Sequence, residues 1–275
     1  MAFIKSLGPL AIAAVFVFCL FNSTALAESS RQYLVLCGQK VVPSLFVFSV
    51  LGALVSQGEG LSKLCRRLPL WGTETAVLLL SLCGGVPLGP LTAAELYRSG
   101  SLNKRQAEYL CTFSCTPSLS FIISFVGGVL GGNKGTTLAI LYAGVSVLTA
   151  VICKPLMLNP EERRLIPTVA PKSKTFSTVL ANSATSSVVI CGCVVFFGTM
   201  ATMLPRTAGG FLEISAGIAN CRSDVEAAVL LGFSGFSIFF QASAAVDGEL
   251  SLKPCFGAKL FQAVLMGTLA YFIID

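Results

Sequence analysis

Apolar and polar positions fall along this chain in long blocks. Apolar runs cover residues 7–21, 41–57, 76–97, 107–130, 136–153, 188–204, 227–246 and 255–274, with polar connectors between them. Several runs reach the ~20 residues that a helix needs to cross a bilayer. The blocks predict spanning helices, with residues 29–40 and 175–186 polar enough for the interface.

Residues 76–97 are punctuated most densely. Gly84, Gly85, Pro87, Gly89 and Pro90 fall together inside an apolar run. Each proline lacks an N–H and clashes with the preceding turn, so no continuous helix passes through. Broken backbone at membrane depth is tolerated only where protein buries it or it lines a wet cavity. The stretch therefore reads as a re-entrant hairpin turning at residues 84–90. A Pro-kinked spanning helix is the other reading. Breaks near the midplane are where secondary transporters hold their substrates.

Three more interruptions stand out. The run 107–130 is broken at Ser114-Cys-Thr-Pro-Ser118, the chain turns at Gly131-Gly-Asn-Lys-Gly135, and the run 227–246 is broken at Gly232-Phe-Ser-Gly-Phe-Ser237. With Lys5 inside and both 76–97 and 227–246 returning to the side they entered, twelve of the 19 basic residues lie inside. Those include Lys63, Arg66, Arg67, Arg98, Lys104, Arg105 and the bases of 154–174, a bias that the positive-inside rule favours.

A shift of 148 residues places Gly84 on Gly232, Ala94 on Ala242, Gly100 on Gly248 and Leu102 on Leu250. The order of elements matches as well, and an odd number of crossings would invert the second copy. Convergence of two generic apolar stretches is the alternative. The fold expected is an all-α polytopic membrane protein, with about six spanning helices plus two re-entrant hairpins, 76–97 and 227–246, as an inverted repeat. Residues 1–30 form a signal-like first helix with Ala25-Leu-Ala27 at its end. Residues 31–153 make the first repeat, 154–174 a polar linker and 175–275 the second repeat.

Composition agrees with this picture. The chain has 275 residues, 54% hydrophobic and only 12% charged, about half the charge of a soluble protein. The net charge of +6 is scattered between apolar runs, so it sets topology and does not suggest nucleic acid. With no histidine, a His metal site or His base is excluded. The 11 cysteines include no C-x-x-C pair and read mainly as small apolar residues. No metal, cofactor or catalytic residue is expected, and the chain reads as no enzyme.

Val42-Pro-Ser-Leu-Phe46, Gly85-Val-Pro-Leu-Gly89 with Glu95-Leu-Tyr-Arg-Ser-Gly100, Phe113 through Phe121-Ile-Ile123, Leu212-Glu-Ile-Ser215, Gly235-Phe-Ser237 and Leu252-Lys-Pro254 resemble the sporulation integral membrane proteins of the YlbJ type. Those carry a nucleoside recognition, or gate, domain. The resemblance spans essentially the whole chain. It implies a distant relative of concentrative nucleoside transporters in the outer forespore membrane, moving dipicolinic acid toward the spore. Val86 replaces the family's tyrosine, Cys115-Thr116 an Asn-rich stretch, and Ala216 a frequent Asn. These departures bear on the substrate more than on the fold.

The candidate binding residues follow from the breaks. Gly85, Pro87, Gly89 and Thr92 surround the first tip, and Ser234, Gly235 and Ser237 the second. Half-helix N-termini there would attract an anion; close helix packing is the plainer role of such small residues. Glu95 is the acid of the first hairpin's second arm, and burying its charge would cost roughly 2.5–3.5 kcal/mol. It also stands at i+3 spacing from Arg98. Ser114, Thr116 and Ser118 lie on the broken span, Gln241 in the second hairpin, and Glu213 and Asn220 before it. No Lys or Arg lies in either apolar arm, so partial charges would hold the solute. The leading expectation is a transporter or facilitator of a small organic anion. A non-transporting sporulation membrane scaffold and a nucleoside transporter-like permease are the alternatives, and the partners expected are the small anion, the lipid bilayer, and a second copy of the chain or other sporulation membrane proteins.

Overall fold

The computed structural model describes residues 2–56, 72–164 and 175–274. The loop carrying Lys63, Arg66 and Arg67 and the end of the 154–174 linker fall outside these residues. Among the described residues every regular element is helical. Five helices are long and apolar enough to cross a membrane, or six if a bent N-terminal pair counts as one span. The protein is thus an all-helical integral membrane protein.

The bent pair is α1 (Ala2–Phe21) and α2 (Ser23–Leu36), whose axes turn by 93°. A π-turn, Cys37–Val41, then leads without a break into α3 (Val42–Ser56). The π-turn stands just ahead of Pro43, whose missing N–H and ring disturb regular helix. Residues 29–40 therefore lie within a helical run. Ser30 is 3.1 Å from the Thr199 hydroxyl, and Tyr33 fills the space beside Gly198.

Polar contacts sort the connectors to two ends of the bundle. At one end Arg98 bonds Glu249 at 2.8 Å, Glu108 accepts from the Ser251 N–H at 2.8 Å, and Gln106 donates to the Glu162 carbonyl at 2.8 Å. At the other end Lys134 pairs with Asp224 at 2.6 Å, and Arg206 pairs with Glu226 at 2.7 Å and donates to the Asn220 carbonyl at 2.8 Å.

The long helices run between these ends. One path is α4 (Lys104–Ser114), a break at 115–118, then α5 (Leu119–Phe121), a π-turn and α6 (Gly127–Leu130). The return is α7 (Lys134–Met157). After the short α8 (Pro160–Arg164), α9 (Phe176–Ala201) crosses. Then α10 (Asp224–Phe233) and α11 (Phe236–Val246) return, and α12 (Lys253–Ile273) crosses last. Residues 175–186 are the first turns of α9, not a separate helix: the Thr175 hydroxyl caps it, accepting from the Thr178 N–H, and no Gly or Pro interrupts before Gly192.

Two short helix pairs stop at the middle. In the first, α13 (Gly72–Gly84) and α14 (Leu88–Arg98) both reach the Arg98 end. Glu74, in the first turn of α13, pairs with Lys154 near the close of α7. In the second, α15 (Arg206–Leu212) and α16 (Ile214–Ala219) fold back at Glu213, and Gly210 meets Gly217 backbone to backbone. Both its ends lie at the Lys134 end.

The hairpin expected at 227–246 is corrected here. α10 and α11 continue as one 23-residue broken helix, bent by no more than 40°. Ser234 and Gly235, at φ 70° and 79°, interrupt the hydrogen-bond ladder without reversing the chain. The folded-back pair is 206–219, just before it.

Helix starts recur at a spacing other than 148. Asn103 and Ser223 cap α4 and α10, whose first residues, Lys104 and Asp224, are 120 positions apart. Lys134 and Lys253, which open α7 and α12, are 119 apart. The 148-residue shift does align α14 with α11, and Gly100 with Gly248 at φ 71° and 73°. It fails at the next helix, because α4 ends at Ser114 whereas α12 runs on unbroken.

Candidate functional site

The interruptions converge at the centre. Gly85, at the tip between α13 and α14, has φ 71°, and a Cβ there would stand 3.2 Å from the Ser118 nitrogen. Glu213 is the tip of the other pair. A Cβ on Gly235 would stand 3.0 Å from the Ile214 nitrogen and 3.5 Å from the Glu213 Cα. Each tip rests on the break of the long helix that follows it.

A cavity with about 50 Å³ of room for the centres of water molecules lies between them. Its walls include Gly85 and Val86, Pro117 and Ser118, Glu213 to Ser215, and Ile238 and Gln241, with Val41, Ile190 and Val194 closing the sides. That space holds a few waters. A wider cleft of about 360 Å³ begins at Pro87 and Gln241 and follows Leu91, Glu95, Asn182, Thr185 and Ser186. Gln241 lines both spaces, and Glu95 and Asn182 lie within a few turns of the Arg98 end of their helices.

Several polar atoms here lack partners. Glu213 is fully buried; one carboxylate oxygen accepts from the Ala216 N–H at 2.8 Å, capping α16, and the other has no partner. The buried hydroxyls of Ser114, Thr116 and Ser237 are also unpartnered. Buried polar groups are nearly always hydrogen-bonded, to protein or to water.

A cation stands behind the second break. Lys259, on α12, is fully buried. Its ammonium donates to the Tyr142 hydroxyl at 2.7 Å and to Ser234 Oγ at 3.0 Å, and among the described residues it pairs with no carboxylate. Ser234 Oγ in turn donates to the Leu231 carbonyl at 2.7 Å. The ammonium therefore sits at the carbonyl end of α10, where a positive charge is favourable. The expectation that backbone partial charges alone supply positive potential is corrected: the next helix brings a full charge.

Of the residues singled out from the sequence, Gly85, Ser118, Glu213 and Gln241 line the cavity. Ser234 and Gly235 form the adjoining break, while Pro87 and Glu95 line the cleft. Ser118 also caps α5 through the Phe121 N–H at 3.1 Å. Others do not come to the site. Gly89 abuts Ser114, and Thr92 returns its hydroxyl to the Leu88 carbonyl at 2.8 Å. Asn220 is exposed and donates to the Ala216 carbonyl at 2.9 Å. Lys259, Tyr142 and Ser215 were missed. A lone lysine four positions past the start of the last apolar run was the available signal.

Among the described residues no group of three or more His, Cys, Asp or Glu is placed to hold a metal ion. No family model, curated protein or solved structure matches this chain, so its reading rests on the geometry of the site.

Proposed function

We propose that this protein is a secondary transporter or facilitator that carries a small polar solute, bound where the breaks meet. In this reading 72–98 and 206–219 are re-entrant hairpins entering from opposite faces, and the long helices around them form an inverted repeat of six spans. The observation that carries it is Gln241, which lines both the central cavity, where Glu213 Oε1 has no protein partner, and a cleft toward one end. A scaffold needs neither feature. The Arg98 end bears Arg98, Lys104, Arg105, Arg163 and Arg164, and is the inside face under the positive-inside rule.

The leading solute is a small organic anion, dipicolinic acid in the setting that the resemblance implies: the outer forespore membrane, alone, as a homo-oligomer, or with other sporulation membrane proteins. Lys259 supports an anion. Glu213 supports a second reading, a neutral hydroxyl-bearing solute of the nucleoside class, because an unpartnered carboxylate oxygen suits a donor and repels a dianion. Uptake by proteoliposomes of radiolabelled dipicolinate and of nucleosides tests both. Saturable uptake of either supports transport. Absence of uptake of both, with folded protein, moves the assignment to a scaffold.

A further inference from the structure

A buried polar seam leads away from the site toward the Arg98 end. Along α7, Tyr142, Ser146 and Thr149 are buried on one helical face, and Lys154, five residues further on, is buried near the helix's end. At its central end, Lys259 bonds Tyr142 and Ser234. Midway, Gln262 donates to the Thr149 hydroxyl at 3.1 Å. At the far end, Tyr109 donates toward the Ala150 carbonyl at 3.0 Å and the Glu74 carboxylate at 3.3 Å, and Glu74 pairs with Lys154 at 2.8 Å.

Two buried acceptors along this seam have no protein partner: Glu74 Oε2 and Gln262 Oε1. Unfilled buried acceptors mark places for water. Tyr142, Ser146 and Thr149 lie one helical turn apart, about 5–6 Å between their Cβ atoms, a gap that one water bridges, and beside Thr149 the Ala150 carbonyl holds Tyr109, which continues the line to Glu74 and Lys154. Ionisable groups inside a membrane bundle commonly belong to ion or proton pathways.

We propose that this seam is a proton path linking the central site to the inside face, so that the solute moves with protons. The proposal rests on the transport reading above. The proton passes between water and carboxylate or hydroxyl oxygens; only O–H and N–H bonds break and re-form, and the transmembrane pH gradient drives it. The titratable groups facing the path are Glu74 from α13, Tyr109 from α4, Tyr142 and Lys154 from α7, and Lys259 from α12. The thiols of Cys115, Cys153 and Cys255 stand beside these groups.

The test uses the full chain in proteoliposomes with a pH-sensitive dye inside. Two measurements run in parallel: solute counterflow at equal pH, and accumulation driven by a pH gradient. Gln262→Leu and the near-isosteric Thr149→Val interrupt the seam outside the cavity. The expected result is unchanged counterflow, with gradient-driven accumulation and dye response reduced at least tenfold. Wild-type counterflow that ignores the pH gradient overturns the seam and leaves transport standing. A dye response lost in Gln262→Leu, but with no solute exchange in wild type, overturns the transport reading and supports the path alone. Gradient-driven accumulation that persists in both variants also overturns the seam.

Discussion

A Cβ placed on Gly89 would fall onto the carbonyl oxygen and side chain of Ser114. α14 and α4 thus touch backbone to backbone just beyond the first tip, and Gly89 holds the hairpin against the broken helix. We expect Gly89→Ala to destabilise the protein by about 1–3 kcal/mol, the usual cost of overpacking. Gly144→Ala is the control: the same addition on α7 meets nothing within 4 Å, and helix propensity favours Ala there. Thermal unfolding in detergent distinguishes them. Equal midpoints would mean that Gly89 is not a contact position.

The two ends of the bundle give a topological prediction. In a background without native cysteines, Lys104→Cys and Asp247→Cys should react with an impermeant maleimide from one face. Asn133→Cys and Arg222→Cys should react from the other. The assignment rests on the Arg98–Glu249 and Lys134–Asp224 pairs. Labelling of positions 247 and 222 from one face would make 224–246 a hairpin after all.

The spans and breaks were legible because they are composition and backbone chemistry: apolar length, and Gly or Pro inside it. The run broken at Ser114–Ser118 and the turn at residues 131–135 are where the pattern puts them. The second hairpin was hidden because its arms have seven and six residues, too short for any apolar-length signal. Only the facing glycines, Gly210 and Gly217, record the fold-back. The identities of the 148-residue shift at Gly100 and Gly248 reflect a shared turn, with φ 71° and 73°. Glu213 and Gln241 were legible as polar residues near apolar runs. Lys259 was not singled out, because a sequence does not say which side of a helix faces the core.

The Glu74–Lys154 pair gives a stability prediction. Both side chains are almost wholly buried. Removing one partner of a buried pair typically costs about 3–5 kcal/mol, because the remaining charge is left poorly compensated. Glu74→Ala should therefore be severely destabilising. The double substitution Glu74→Met with Lys154→Met should recover most of that loss, since apolar replacement of a buried pair is often near neutral. Unfolding midpoints of the two variants decide it. A double variant as unstable as the single one would show that the charges hold something besides each other.

The solute class is decided by the two uncompensated groups flanking the second break. Glu213→Gln keeps an oxygen for the Ala216 N–H and removes the negative charge. Lys259→Met keeps the length and apolar stem and removes the positive one. If the solute is an anion, Lys259→Met should lower dipicolinate uptake at least tenfold, a loss of about 1.4 kcal/mol, and Glu213→Gln should leave it unchanged or improved. If the solute is a nucleoside-like donor, the order reverses: Glu213→Gln loses a charge-assisted hydrogen bond, which is roughly twice as strong as a neutral one, and uptake falls at least tenfold. Lys259→Met then acts only through Ser234 and the end of α10, so a milder loss is expected. Equal losses for both solutes in both variants, with folding intact, would place Glu213 and Lys259 in the scaffold of the breaks rather than in recognition.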